Sequence, residues 1–528
     1  MMHADEKSGL AIVAENRLNA DGRPSAEGGE PRACPWLEQG AGAKGNTSQT
    51  DTRHGTSPWA EGPRTPSRAS VSLGLERVRR AAKQSKEERF TALLHHVDVD
   101  LLRQAYFWLK PEAAPGVDGV TWAEYGQGLE DQLRDLHGRV HRGSYRALPS
   151  RRRYIPKPDG RQRPLGIAAL EDKIVQRALV EVLNAIYEED FLGFAYGFRP
   201  GRGQHDALDA LATGITRTRV NWILDADIRS FFDAVSHEWL IRFVEHRIGD
   251  RRVVRLIRKW LKVGVMEDGE VTPGTVGTPQ GAVISPLLAN IYLHYVFDLW
   301  VRQWRHRHAR GNVIVVRYAD DLVAGFEHQA DAKRFVADLK DRLGQFALTL
   351  HPDKTRLIEF GRFAAADRAK RGLGKPETFN FLGFTHISGR TRNGKFCLHR
   401  KTRRDRLRAK LREVKETLRR RLHATIHEQG AWLRQVVRGY FAYHAVPTNI
   451  QALAAFRRTI RWLWWRNLRR RSQKDRTSWA AINRLVDRWL PKPRITHPWP
   501  EQRFAVNHPR QEPDVRIVQV RICAGGAQ

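Results

Sequence analysis

A chain of 528 residues is too long for one hydrophobic core and calls for roughly two to four domains. Its 41% apolar content allows folding over most of that length, but 91 Lys and Arg against 58 Asp and Glu leave +33, which excludes a balanced surface and points to a polyanionic partner. Cys34, Cys397 and Cys523 are too scattered for a disulfide scaffold or zinc knuckle, which suits a reducing compartment, and no apolar run is long enough to span a membrane.

Residues 1–75 are rich in Gly, Ser, Pro and Ala, nearly balance their charges and read as a weakly ordered leader. A helical period follows through Leu75, Phe90, Leu93, Leu101, Leu102, Tyr106 and Leu109. After a turn-rich break, helix resumes over 122–136. Two short strands between Tyr145 and Gly166 are joined by Pro158-Asp159-Gly160. The pattern then predicts helices at 169–188, 237–261, 285–304 and 330–346, a strand at 221–228, a hairpin at 313–326 and extended chain at 348–360. Residues 401–489 read as helices with long arginine-rich faces, and the shift near 385–405 is the expected domain boundary.

The sharpest local signal is Tyr318-Ala319-Asp320-Asp321, placed by flanking apolar residues in a tight turn between strands. Paired carboxylates among apolar neighbours are costly unless a cation compensates them, and hard oxygen ligands suit Mg²⁺. Strand alternation puts Asp225 and Asp227 on one face of a second strand. Two-metal phosphoryl transfer requires carboxylates from separate elements, so Asp227, Asp320 and Asp321 are the candidate metal ligands, with Asp225 in a structural salt bridge.

From about Phe90 to Leu490 the chain resembles the reverse transcriptase and maturase proteins encoded by bacterial group II introns. The resemblance is carried by blocks in family order. Gly116-Val117-Asp118-Gly119, Ile155-Pro156-Lys157-Pro158-Asp159-Gly160, Arg163-Pro164-Leu165-Gly166-Ile167 and Tyr196-Gly197-Phe198-Arg199-Pro200-Gly201-Arg202 come first. Asp227 to Asp233, Gly277-Thr278-Pro279-Gln280-Gly281, Ser285 to Ile291, Tyr318 to Asp321, Pro352-Asp353-Lys354-Thr355 and Phe381-Leu382-Gly383-Phe384 complete the series. The resemblance implies an α+β right-hand polymerase, with fingers and palm over 76–385, followed by an α-helical thumb and maturase domain over 386–490 and a short basic tail over 491–528.

Residue by residue, the resemblance gives Asp227, Asp320 and Asp321 to two Mg²⁺ ions, for which Mn²⁺ is the expected substitute. Lys157 and Arg163 match cations that hold the incoming triphosphate, Phe232 a steric gate against the ribose 2′-hydroxyl, and Gln280 a nucleotide contact. Phe231 is the core neighbour of that gate. Lys354 matches a lysine that protonates the leaving group, and Phe381, Leu382 and Gly383 the primer grip. Cationic side chains contact phosphates and aromatics stack on bases, so Arg457, Arg458, Arg461, Trp464, Trp465, Arg469 and Arg470 are the candidate RNA contacts.

The implied partners are the chain's own group II intron RNA, a DNA target and primer, and deoxynucleoside triphosphates, in a bacterial cytoplasm at the nucleoid, with no membrane and with dimerisation open. The implied activity is RNA-directed DNA synthesis together with assistance to intron splicing and mobility. Two alternatives stand beside it: a retron, diversity-generating or CRISPR-associated reverse transcriptase, or a splicing factor that binds RNA without catalysis. The proline-rich stretch after Leu490 leads us to expect little helix and no HNH nuclease there, with His497 and His508 as surface or packing residues.

Overall fold

The computed structural model describes residues 68–156, 162–472 and 477–507. Most of the leader (with Cys34), Lys157 and its turn, and the tail from residue 508 (with His508 and Cys523) lie outside the described residues. A helix at Arg68–Gln84 begins inside the segment assigned to the leader. It is separated from the next, Val99–Trp108, because Asp98 caps the latter by accepting from the Leu101 N–H at 2.7 Å. Asp250 likewise divides the single helix expected at 237–261 into His237–Arg247 and Arg251–Lys262. Its carboxylate accepts from the backbone of Arg252 and, across the fold, from those of Leu93 and Leu94.

Strands β1 (Ser150–Pro156) and β2 (Gln162–Ile167) pair antiparallel, as expected. The central sheet contains β3 (Trp222–Asp227), and β4 (Val265–Glu267) and β5 (Glu270–Thr272) extend the first sheet to the order β2-β1-β4-β5. The hairpin β6 (Val313–Tyr318) and β7 (Asp321–Phe326) joins β3 and β8 (Arg356–Glu359) in the order β6-β7-β3-β8. Period-two alternation divides this central sheet between two cores. Leu224, Ala226, Val313, Val315, Leu322 and Ala324 face the larger core, whereas Ile223, Ile314, Val316, Val323 and Ile358 face a smaller one that includes helix Gln204–Arg217.

A third sheet of β9 (Phe379–Phe381), β10 (Phe384–Arg390) and β11 (Phe396–Thr402) runs across the boundary expected at 385/386. Phe379, Phe381, Phe384 and Leu398 belong to the same core as the central sheet, so the apolar pattern joins what the change of composition appeared to divide. The helical region starts only at Arg404–Arg420 and continues through Ile426–His444, Ile450–Leu468 and Trp479–Trp489 around a core of its own.

The tail corrects a second expectation. Proline is tolerated in the first helical turn, and Pro500–Asn507 is a helix. It packs against helix Gln204–Arg217, with Phe504 buried and Arg503 Nε 3.2 Å from Asp209. His497 is a packing residue: its Nε2 lies 2.7 Å from the Ala442 carbonyl, and its ring stacks on His205.

Within the C-terminal core Trp464 is wholly buried and donates to Gln429 Oε1 at 3.0 Å, while Trp462 two residues earlier is exposed. Trp464→Ala should therefore destabilise the protein by about 3–5 kcal/mol, against less than about 0.5 kcal/mol for Trp462→Ala. Urea unfolding of the full chain, followed by tryptophan fluorescence and by circular dichroism, measures the difference. Equal losses would place both rings in the same environment.

Candidate active site

Antiparallel register sets Asp227 of β3 directly opposite Asp321 of β7, and Asp321 opposite Tyr318 of β6. The two acids therefore lie side by side in one row, at the end of the sheet where the β6–β7 hairpin turns. Both are buried. Asp225, on the same face of β3, sits 3.9 Å from the Arg356 guanidinium. Asp320 occupies the turn itself. Burial pushes its carboxyl up to about 6, the negative charge of Asp227 adds to the rise, and Arg163 and Arg317 pull it back. The charges of Asp227 and Arg163 thus act on Asp320 from two other stretches of chain.

Lys354 completes the group, with its ammonium 3.4 Å from Asp227 Oδ2. The backbone around it is fixed by the His351 N–H, which donates to the Asp227 carbonyl at 2.8 Å. Among the described residues no group of three or more His, Cys, Asp or Glu side chains stands in metal-holding geometry. The donor chemistry nevertheless fits hard divalent cations: two buried carboxylates abreast, and a third whose proton affinity is raised by burial and by its neighbour's charge.

Behind the hairpin lies a set of residues that motif reading did not single out. Arg317, in β6, points to the opposite face from Asp321 and is wholly buried. Its Nε and Nη2 donate to the two oxygens of Asp298 at 2.7 and 2.5 Å, and its Nη1 donates to Asn290 Oδ1 at 3.0 Å and to the Ala319 carbonyl at 3.1 Å. Asn290 Nδ2 in turn donates to the Gly197 carbonyl at 2.7 Å. Gly197 is glycine for want of space, because a Cβ there would stand 2.3 Å from the Ala319 nitrogen. The available signal was the charge itself, since an arginine inside an otherwise apolar strand has to be paired.

The loop Gly277 to Gly281 is tied at both ends. Thr278 N–H donates to the Phe232 carbonyl at 2.8 Å, and Gly166 N–H donates to the Gln280 carbonyl at 2.7 Å. Gly281 is required on two counts: its φ of +109° is closed to most side chains, and a Cβ would meet Gly166 O at 2.7 Å. The loop is thus held against the Phe232 turn and against β2, which carries the buried Arg163, while Phe232 and Gln280 are half-buried. Phe231 lies in the core beneath Phe232, the ring centroids 5.4 Å apart.

Leu382 and Gly383, at φ +44° and +78°, form the turn between β9 and β10, with Phe381 buried before it. The Tyr443 hydroxyl, from helix Ile426–His444, donates to the Leu382 carbonyl at 2.8 Å. This contact ties the candidate primer grip to the C-terminal helices.

The candidate RNA surface requires two corrections. Trp464 is core and offers no face for stacking. Arg457 turns inward, its Nη2 3.0 Å from Asp487 and its other contacts made with the Val486 and Leu490 carbonyls at the end of helix Trp479–Trp489. Arg461 is partly committed, donating to Asn483 at 3.2 Å and lying over the Trp479 ring. Trp465 is half-buried, stacked on Trp479 and donating to the Thr477 carbonyl. Arg458, Arg469 and Arg470 are exposed, with Arg469 over Trp465; exposed Arg466 over exposed Trp462 is a pair that was not singled out.

Residues 155–386 match the family model described as reverse transcriptase (RNA-dependent DNA polymerase). The chain is similar to protein YkfC of Escherichia coli (strain K12), with 36% identity over 314 residues, covering 53% of this chain and 77% of YkfC. It is similar to the group II intron-encoded protein LtrA of Lactococcus lactis subsp. cremoris, with 34% identity over 238 residues, covering 45% of this chain and 39% of LtrA. A putative COX1/OXI3 intron 1 protein of Saccharomyces cerevisiae is 25% identical over 365 residues, 60% of this chain and 43% of that protein. No helix among the described residues is long and apolar enough to cross a membrane.

The raised Asp320 carboxyl has a consequence for stability. An acid whose pKa is higher in the folded state binds its proton more tightly there, so metal-free protein should gain stability as pH falls from about 7 through 6. Asp320→Asn, which removes the charge at every pH, should raise the metal-free Tm at pH 7.5 by a few degrees and flatten that pH dependence. Differential scanning calorimetry in chelator measures both effects. A lowered Tm with unchanged pH dependence would mean that Asp320 is not held against its charge.

Proposed function

Because the chain belongs to the reverse transcriptases, RNA-dependent DNA polymerases, and among them to the bacterial group II intron type, we propose that it copies RNA into DNA at Asp227, Asp320 and Asp321 and binds its own intron RNA through the C-terminal helices. The observation that carries this reading is the in-register pair Asp227–Asp321 beside Asp320 in the turn with Ala319 at φ +54°, with Lys354 and Arg163 at its margin.

Those three acids would hold two Mg²⁺ ions, or Mn²⁺ in their place, which when bound supply positive charge to the attacking 3′-oxygen and to the transferred phosphate. The protein's own groups supply the positioning. Arg163 and Lys157 set fixed positive charge where the triphosphate of the incoming deoxynucleotide lies. Phe232 packs beneath the sugar, where a 2′-hydroxyl would clash, and Gln280 meets the nucleotide from the loop tied to it. Lys354, held 3.4 Å from Asp227, stands within reach of the departing pyrophosphate and gives it a proton. Phe381, Leu382 and Gly383 support the primer end. In this reading the central sheet is the palm, the sheet with β1 and β2 the fingers, and the helices after Arg404 the thumb and maturase domain.

Intron binding rests on the +33 excess and on the exposed arginines of helix Ile450–Leu468 and the residues after it. Such contacts neutralise phosphates and let the RNA fold, and splicing and mobility follow from that binding. LtrA is by its name a group II intron-encoded protein, which supports the same partner here.

The test is extension of a DNA primer on an RNA template with deoxynucleotides and Mg²⁺. The parent protein extends it, while Asp320→Asn loses at least about 100-fold in rate and keeps RNA affinity within a few-fold. Undiminished extension by that variant refutes the site. Phe232→Ala should raise the GTP-to-dGTP insertion ratio by about tenfold or more, read by single-nucleotide insertion. An unchanged ratio moves the gate to another residue.

Charge reversal at exposed Arg458, Arg466, Arg469 and Arg470 should weaken intron binding and lower its salt slope, with generic extension changed less than about threefold. Filter binding at several salt concentrations reads the slope. Parallel loss of both activities would instead make this face part of the shared polymerase surface.

A further inference from the structure

The buried network behind the hairpin carries an inference that deepens this reading and rests on it. We infer that Arg317 is a positioning residue which, clamped by Asp298 and Asn290, fixes the Ala319 carbonyl and so sets where the Asp320 and Asp321 carboxylates stand.

The helix opposite the hairpin is built for this clamp. Asn290 lies in the α-helix Ser285–Leu293, whereas Asp298 ends a π-helical stretch, His294–Asp298. In an unbroken α-helix residues eight apart are rotated by roughly 80° about the axis, too far to grip one guanidinium from one side. The wider i→i+5 turns take back roughly that rotation, so both side chains meet Arg317. The insertion thus has a visible product, which is a two-point grip on one arginine. Burial brings neighbouring His294 down to about 4, so it adds no competing positive charge beside Asp298.

At the arginine's other end the clamp reaches the hairpin turn. Arg317 Nη1 divides itself between Asn290 Oδ1 and the Ala319 carbonyl. Ala319 is non-glycine at φ +54°, a conformation that needs outside support. That support comes from two directions, the guanidinium below and the Gly197 backbone pressed against the Ala319 nitrogen. Gly197 is itself held by Asn290, and just before it the backbone of Arg317 bonds to Phe194 and Tyr196. One side chain, Asn290, therefore grips both the arginine and the Gly197 loop that lies against the turn. A network that served stability alone could end at the Arg317–Asp298 pair, since the charge is already neutralised there; the bonds to Ala319 and Gly197 extend it to the turn bearing the acids.

Removing one charge of a buried pair strands the other and can unfold the protein, so the decisive variant replaces both, Arg317→Met with Asp298→Leu. Its Tm should stay close to that of the parent. Its kcat on a primed RNA template should fall about 100-fold, while the KM for dGTP and the Kd for RNA stay within about threefold. Direct Mn²⁺ titration of the protein without substrate, read by electron paramagnetic resonance of the free ion, should show about tenfold weaker binding.

Asn290→Ala, which removes no charge, should lose about tenfold in kcat with the same parental KM. A folded double variant with parental kcat and Mn²⁺ binding overturns the inference. If the double variant does not fold, parental kcat in Asn290→Ala overturns it instead. Asp320→Asn is run alongside: active Asp320→Asn refutes the catalytic site itself, whereas inactive Asp320→Asn beside an active double variant refutes only the positioning role.

Discussion

Arg317 donates two hydrogen bonds to Asp298 in a place that water does not reach, and much of the central sheet is arranged around that pair. A lone guanidinium inside a β-sheet core would be costly, so the fold must bring an acid to it, and the acid comes from the end of a π turn on the facing helix. Once that pair forms, the register of β6 against the helix is fixed. Register in turn places Tyr318, Asp321 and Asp227 in one row on the opposite face, because strand residues alternate. The buried cation and the acids are thus two consequences of one alignment, seen from the two faces of the same sheet.

The approach to the acids is governed by backbone proximity more than by side chains. Gly197, Gly277 and Gly281 each stand where a Cβ would strike another backbone atom. The contacts at Gly277 and Gly281 hold the Gln280 loop against the Phe232 turn and the strand with Arg163, and the contact at Gly197 holds its segment against Ala319. Cations at that margin offset the repulsion between acids that burial would otherwise make severe. The acids therefore carry an electrostatic cost in the metal-free protein.

Basic charge is divided into two uses. Some arginines are consumed inside the fold: Arg317 on Asp298, Arg400 on Asp209, Arg247 on Asp190 and Arg457 on the end of a helix. The remainder, including Arg458, Arg466, Arg469 and Arg470, are exposed on the C-terminal helices. Several arginines lie over tryptophan rings there, which keeps the guanidinium ordered while leaving its edge available to phosphate. Tyr443 links this region to the Leu382 turn, so the C-terminal helices and the third sheet share a hydrogen bond.

By itself the sequence determined the elements whose signals are local: the two-residue hairpin with its paired acids, the alternation that sets Asp225 and Asp227 on one face, the helical arginine faces, and the membership carried by the ordered motifs. It could not separate Trp462 from Trp464, or Arg457 from Arg458, because a helix that packs on several neighbours has no simple polar side. It placed a boundary at 385 where composition changed, although Phe384 and Leu398 on either side of it pack into one core. It read prolines after Leu490 as barring helix, yet Pro500 starts one whose partner lies nearly three hundred residues earlier in the chain. The clamp on Arg317 was likewise invisible, since Gly197, Asn290 and Asp298 acquire a common purpose only when a π turn and a strand register bring them to the same guanidinium. Pairings of that kind are decided by tertiary structure, because the cost of a buried charge or a backbone clash depends on what the fold sets beside it.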